Sequence, residues 1–108
     1  IKINKKMKVV TEGHKYRLDS FEKTNLQMIQ FIEKAPKEEG STELITLNDG
    51  TTNEEVIEVL LDRMNYLQSK FPCRENAIAI TKLDEALLWL NKRTQDRIKR
   101  NVEGKQLK

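Results

Sequence analysis

A single proline, Pro72, most constrains what this 108-residue chain can fold into. It stands between two stretches whose apolar residues recur at helical spacing. Proline lacks a backbone N–H and its ring clashes with the preceding turn, so a helix does not run through it. Upstream, Thr52-Asn53-Glu54-Glu55 fits a capping box, in which the Thr side chain accepts from an early backbone amide and the Glu reaches back. Val56, Val59, Leu60, Leu67 and Phe71 then follow as a helical stripe. Downstream, the spacing predicts a second helix from about Arg74 to about Lys99, with Ile80, Leu83, Leu87 and Leu90 as its stripe. So short a connection makes the two helices antiparallel neighbours.

The first half reads as extended chain. Lys6–Thr11 and His14–Leu18 flank Glu12-Gly13, the signature of two strands joined by a tight turn. Leu26–Glu33 is rich in strand formers, and Ala35 to Gly40 has the proline and glycine of a loop. Thr42–Leu47 reads as the strand returning from it, giving a second hairpin that Asn48-Asp49-Gly50 ends. The expected fold class is α+β: antiparallel strands over about 6–47, a helical hairpin over about 52–100 and a basic tail at 101–108, all in one domain.

The second helix is apolar beyond one face. Ala79, Ala86, Leu88 and Trp89 widen its stripe, and large uncovered apolar surface marks an interface. Assembly with further copies is the economical expectation, with a twofold dimer the commonest form. The alternative is that the strands cover this surface.

Charge is uneven. Residues 92–108 hold seven basic side chains and two acids, a local +5 within a chain of net +3, so the rest carries −2. Such a tail suits an anionic partner. One cysteine, Cys73, rules out a disulfide within the chain and fits a cytosolic setting. No apolar run approaches the roughly 18 residues that span a bilayer, and Ile1 to Lys8 leads into no signal-peptide stretch.

The familiar enzyme constellations are absent. With one histidine, His14, and one cysteine, a His/Cys zinc site within one chain has too few ligands. No G-x-x-x-x-G-K-[ST] or G-x-G-x-x-G segment cradles a phosphate. Cys73 beside Arg74 reads as an ordinary thiol at a helix start, and Glu54-Glu55 as first-turn charges favoured by the helix dipole. The chain is expected not to be an enzyme and to need no cofactor or metal.

Two clusters are candidates for binding. Arg93, Arg97 and Arg100 fall at i, i+4 and i+7, and the planar arginine fork suits phosphate oxygens. Near the turn, Tyr66 offers a ring that stacks on a base, and Asn76 an amide that reads its edge. Residue by residue, a solvated charged face and ordinary packing or surface roles remain the plainer explanations. Asn76 and Arg93 are 17 positions apart, or roughly 25 Å along one helix, too far for one mononucleotide. Two second helices crossing antiparallel in a dimer would join Tyr66 and Asn76 of one chain to Arg93 and Arg97 of the other.

The residues also carry a longer resemblance. FPCREN-x-IAITKL-x-EAL-x-WLNKRT-x-DR, ending in VEGK and preceded by GHKY and QFIEK-x-P-x-E-x-GS, resembles the phage anti-defence sponges of the anti-CBASS/Thoeris hairpin family, the Thoeris branch above all. The likeness runs from about Gly13 to Lys105. It implies a sponge that binds, without cleaving, a cyclic ADP-ribose messenger (glyco-cyclic ADP-ribose) made by TIR-domain enzymes, so blocking Thoeris immunity in the cytoplasm of the infected bacterial host. It implies an antiparallel homodimer, built into a hexamer as a trimer of dimers. In some members it implies separate pockets for cyclic oligonucleotides of CBASS.

By position, the resemblance assigns Tyr66 of DRMNYL to stacking on adenine and Asn76 of CREN to hydrogen-bonding the ligand. It assigns Arg93 and Arg97 to the diphosphate and Asp96 to an arginine or a ribose hydroxyl. It implies no membrane partner. A basic nucleic-acid-binding module and a structural oligomeric phage protein stand as the alternatives. The few aromatics and single short basic face weigh against the former.

Overall fold

The computed structural model describes residues 7–100; Lys6, the expected tail at 101–108 and the VEGK segment lie outside them. Among the described residues, two compact units form. One takes the residues up to Ala35 with Ile45–Thr51; the other takes Pro36–Leu44 and the residues from Thr52 onward.

In the first unit, β1 (Lys8–Thr11) pairs antiparallel with β2 (Lys15–Asp19). Between them Gly13 adopts φ 75°, the left-handed region where glycine carries no Cβ penalty, and the Thr11 carbonyl accepts from the His14 N–H at 3.0 Å. Lys8 faces Arg17 and Val9 faces Tyr16, but Thr11 faces Lys15, so Val10 is the extra residue of a bulge. β3 (Leu26–Gln30) adds antiparallel to β2 in unbroken register, from Lys15 opposite Gln30 to Asp19 opposite Leu26. Ser20 holds the connecting turn, its hydroxyl accepting from the backbone N–H groups of Thr24 and Asn25 at 3.0 and 3.1 Å.

The expected second hairpin needs correction. Leu26–Glu33 is not one strand paired with Thr42–Leu47. It divides: Leu26–Gln30 joins the three-stranded sheet, and a separate strand, β4 (Glu33–Pro36), pairs with β5 (Leu44–Asn48). Ala35 and Pro36 thus belong to a strand, not to the loop. The division has a local cause. Thr51 comes alongside Phe31 as a parallel bridge, donating its N–H to the Gln30 carbonyl at 2.8 Å and accepting from Ile32 at 2.9 Å. Gly50 permits this approach, because a Cβ there would overlap the Gln30 carbonyl oxygen and lie 2.7 Å from the Phe31 carbonyl carbon.

In the second unit, α1 (Asn53–Lys70) starts at the expected Thr52 N-cap, whose hydroxyl accepts from the Glu55 N–H at 3.2 Å. Its last backbone bond runs from Phe71 N–H to the Leu67 carbonyl, and Pro72 ends the helix. α2 spans Arg74–Lys99, matching the expected limits. Its less exposed positions include Asn76, Ile80, Leu83, Leu87, Leu90, Thr94 and Arg97, a strict alternation of four and three. α1 answers with Glu54, Ile57, Leu61, Met64 and Gln68 in the same rhythm. That is the spacing of a coiled-coil seam. Neither helix is long and apolar enough to cross a membrane.

The expected α1 stripe is therefore rotated. Val59, Leu60 and Phe71 are exposed, and Leu61 is the buried apolar residue among those described. Val56 and Leu67 flank the seam. Leu88 and Trp89 on α2 are exposed as well, so apolar surface does extend beyond the seam.

Two substitutions test this packing. Leu61→Ala is expected to lower unfolding free energy by about 2–4 kcal/mol through lost burial and a cavity. Gly50→Ala is expected to cost about 1–3 kcal/mol by forcing the Gln30–Phe31 backbone aside. Urea unfolding followed by circular dichroism measures both.

Candidate functional site

One flank of α2 carries Trp89, Lys92, Arg93, Asp96 and Arg100, at i, i+3, i+4, i+7 and i+11. These side chains line an open concavity of about 240 Å³. Ligand pockets run from about 300 to 1,000 Å³ and enclose most of their ligand, so this is a partial site. Lys92 Nζ meets Asp96 Oδ2 at 3.0 Å, and both side chains are more than half exposed. Such a pair contributes little to stability. It does hold the Asp96 carboxylate against Lys92. Arg93 is exposed, and its five donors are free to take a planar anion. A second concavity of about 410 Å³, lined by Leu88, Trp89, Asn91, Lys92 and Gln95, adjoins it.

Arg97 is set apart from this flank. Only 5% of its surface is exposed, and it falls on the seam side of α2. The three arginines read as one ladder thus split into two open groups, Arg93 and Arg100, and one inward group. Helical spacing explains the split: with 3.6 residues per turn, i+4 rotates Arg97 towards the seam while i+7 returns Arg100 beside Arg93.

The turn end of the hairpin holds the other candidates. Tyr66 is 59% exposed, and Lys70 Nζ lies 5.7 Å from its ring centroid. One side of the ring is thus engaged by a cation one helical turn on, a weak attraction at an exposed site. Asn76 is half-buried, and its backbone N–H donates to Cys73 Sγ at 3.4 Å. Cys73 is an exposed free thiol serving as N-cap of α2, as its position suggested.

The structure therefore brings Arg93 and Asp96 together, and places Tyr66 and Asn76 at the hairpin turn. It does not bring the two groups together within one chain. Trp89 and Lys92 are lining residues that the sequence analysis does not group with Arg93 and Asp96, whereas Arg100 stands with Arg93 in the arginine ladder. Their signal was the helical spacing around Arg93. No cluster of three or more His, Cys, Asp or Glu side chains able to hold a metal occurs among the described residues.

Replacing the two arginines separates their roles. Arg97→Ala is expected to cost about 1–3 kcal/mol of stability, because it empties a buried position. Arg93→Ala is expected to stay within about 0.5 kcal/mol of the parent. Thermal denaturation followed by circular dichroism distinguishes them.

Comparison with known proteins agrees with this architecture. The model of the Acb2/Tad1 hairpin domain matches residues 24–95. Thoeris anti-defense 1 of Bacillus phage SBSphiJ7 is 58% identical over 57 residues, which cover 52% of this chain and 40% of that protein. The match thus spans less than half of that relative's length. With the family match extending from the β2–β3 turn nearly to the end of α2, the chain belongs to the Acb2/Tad1 hairpin domain family.

Proposed function

We propose that this chain is a phage anti-defence sponge. It binds a TIR-derived cyclic ADP-ribose messenger, glyco-cyclic ADP-ribose, and withholds it from the Thoeris effector without cleaving it. Family membership and a relative named Thoeris anti-defense 1 support this reading.

The observation that carries it is the division of the candidate residues into two open half-sites. An exposed aromatic ring and an amide stand at the turn end of the hairpin, and an open arginine fork stands near the other end of α2. A ligand with one adenine and one diphosphate has the chemistry for both. It reaches both when two copies cross antiparallel, so the functional unit is a homodimer with two equivalent sites. In each site Tyr66 of one copy stacks on adenine and Asn76 bonds its edge. Arg93 of the other copy takes the diphosphate, Arg97 supports it from the seam side, and Asp96 orients the guanidinium or a ribose hydroxyl. Binding needs no proton transfer or bond cleavage, so no cofactor, metal or catalytic base enters. In the host cytoplasm six chains assemble as a trimer of dimers, which also offers surface for cyclic oligonucleotides.

Calorimetric titration with glyco-cyclic ADP-ribose tests the proposal, with NAD, ADP-ribose and a cyclic trinucleotide as comparators. Tight binding to the cyclic ADP-ribose is expected, with intact ligand recovered after heat denaturation. No binding to it would overturn the reading. Retention on heparin with steep salt dependence would point to a nucleic-acid module instead. The two-copy site has its own signature. Tyr66→Ala and Arg93→Ala proteins are each expected to bind poorly. Mixed after subunit exchange, they regain about a quarter of the sites, since only one site of each mixed dimer is intact.

A further inference from the structure

The connection between α1 and α2 is closed by one side chain. Gln68, in the last turn of α1, donates from Nε2 to the Cys73 carbonyl at 3.0 Å and accepts at Oε1 from the Cys73 N–H at 3.1 Å. A carboxamide carries a donor and an acceptor side by side, so it can pair with both groups of one residue. The remaining group of Cys73 is also engaged, because Sγ accepts from the Asn76 N–H at 3.4 Å. The Cys73 carbonyl accepts in addition from Ala77 at 3.2 Å, the first bond of α2. One residue thus receives the clamp from α1 on its backbone and passes it to Asn76 through its side chain.

We infer that Gln68 is a positioning residue for ligand binding, fixing the Asn76 amide relative to Tyr66 through Cys73. The inference rests on the sponge reading above. Tyr66 and Asn76 lie on different helices, joined by only three residues, Phe71, Pro72 and Cys73. Phe71 is 79% exposed, so it packs little against either helix. Pro72 supplies no N–H to the turn. Side-chain closure of the turn therefore falls to the Gln68 clamp. A local tie on the Tyr66 side completes it, the Ser69 hydroxyl donating to the Tyr66 carbonyl at 2.6 Å. A ring and an amide that must meet opposite parts of one base tolerate little relative movement, since misplacement weakens both contacts at once.

Gln68→Leu removes both bonds at similar length. Gln68→Glu keeps the acceptor for the Cys73 N–H but, when ionised, presents a lone pair to the Cys73 carbonyl. Protonation of that carboxyl restores the donor. In the full chain, Gln68→Leu is expected to weaken glyco-cyclic ADP-ribose binding about tenfold or more, and Gln68→Glu to weaken it near neutral pH. Relative to wild type measured at the same pH, the Q68E protein is expected to recover affinity as pH falls through the ordinary carboxyl range, about pH 4 to 5. A role confined to stability would lower the melting temperature without that recovery.

A ligand-free readout accompanies the titrations. The Asn76 side-chain amide is expected to give one sharp pair of nuclear magnetic resonance signals in wild type and broadened or doubled signals in Q68L. Wild-type affinity in both variants, or unchanged Asn76 signals, would overturn the positioning role. If wild type binds no cyclic ADP-ribose while the Asn76 signals still respond to Q68L, the sponge reading falls and the clamp on Asn76 stands.

Discussion

The helical unit depends on a thin apolar seam. Ile57, Leu61 and Met64 of α1 face a line of Ile80, Leu83, Leu87 and Leu90 on α2, and Leu61, at 9% exposure, is the buried apolar residue among those described. Polar residues continue the same rhythm at both ends: Gln68 and Asn76 near the turn, Glu54, Thr94 and Arg97 at the other. Apolar burial thus supplies the middle, while hydrogen bonds and charge define where the seam begins and stops. A single seam leaves most of each helix surface open, including Val59, Leu60, Leu88 and Trp89. In the proposed homodimer, a second copy would cover part of this surplus.

Much of this was legible in the sequence, and the misses have definite causes. Pro72 and the Thr52 cap located both helices nearly to the residue, since each acts through local backbone chemistry. The face of α1 that turns inward was not legible. Val56, Val59, Leu60 and Leu67 make as good a stripe as Ile57, Leu61 and Met64, and periodicity alone does not say which one a neighbour covers. The division of Leu26–Glu33 was hidden for a different reason. It depends on Thr51 arriving from some twenty residues away, and only the glycine at position 50 hinted that two backbones come close. In the candidate site, residue types were readable and their partition was not. Three arginines at helical spacing looked equivalent until burial separated Arg97 from Arg93.

The partition leaves the candidate residues of the hairpin in two separate groups. The candidate residues are spread along the hairpin: Tyr66 of α1 and Asn76 at the start of α2 stand near the turn, and Arg93 and Asp96 stand towards the far end of α2. Helix rise fixes the separation of Asn76 from Arg93 along α2, while the turn sets where Tyr66 stands beside Asn76. The family match, over residues 24–95, takes in Tyr66, Asn76 and Arg93 and stops before Asp96.

The flank of Trp89, Lys92, Arg93, Asp96 and Arg100 is built on α2 outside its 4-3 seam. Its side chains can therefore be exchanged with little effect on folding, whereas the inward positions tolerate far less change. This gives the scaffold room for evolutionary drift. A lineage can alter the charge or breadth of that surface in single steps and keep a folded hairpin throughout. Diversity in what such hairpins bind is then to be sought first at these outward positions of α2, on a backbone that remains the same.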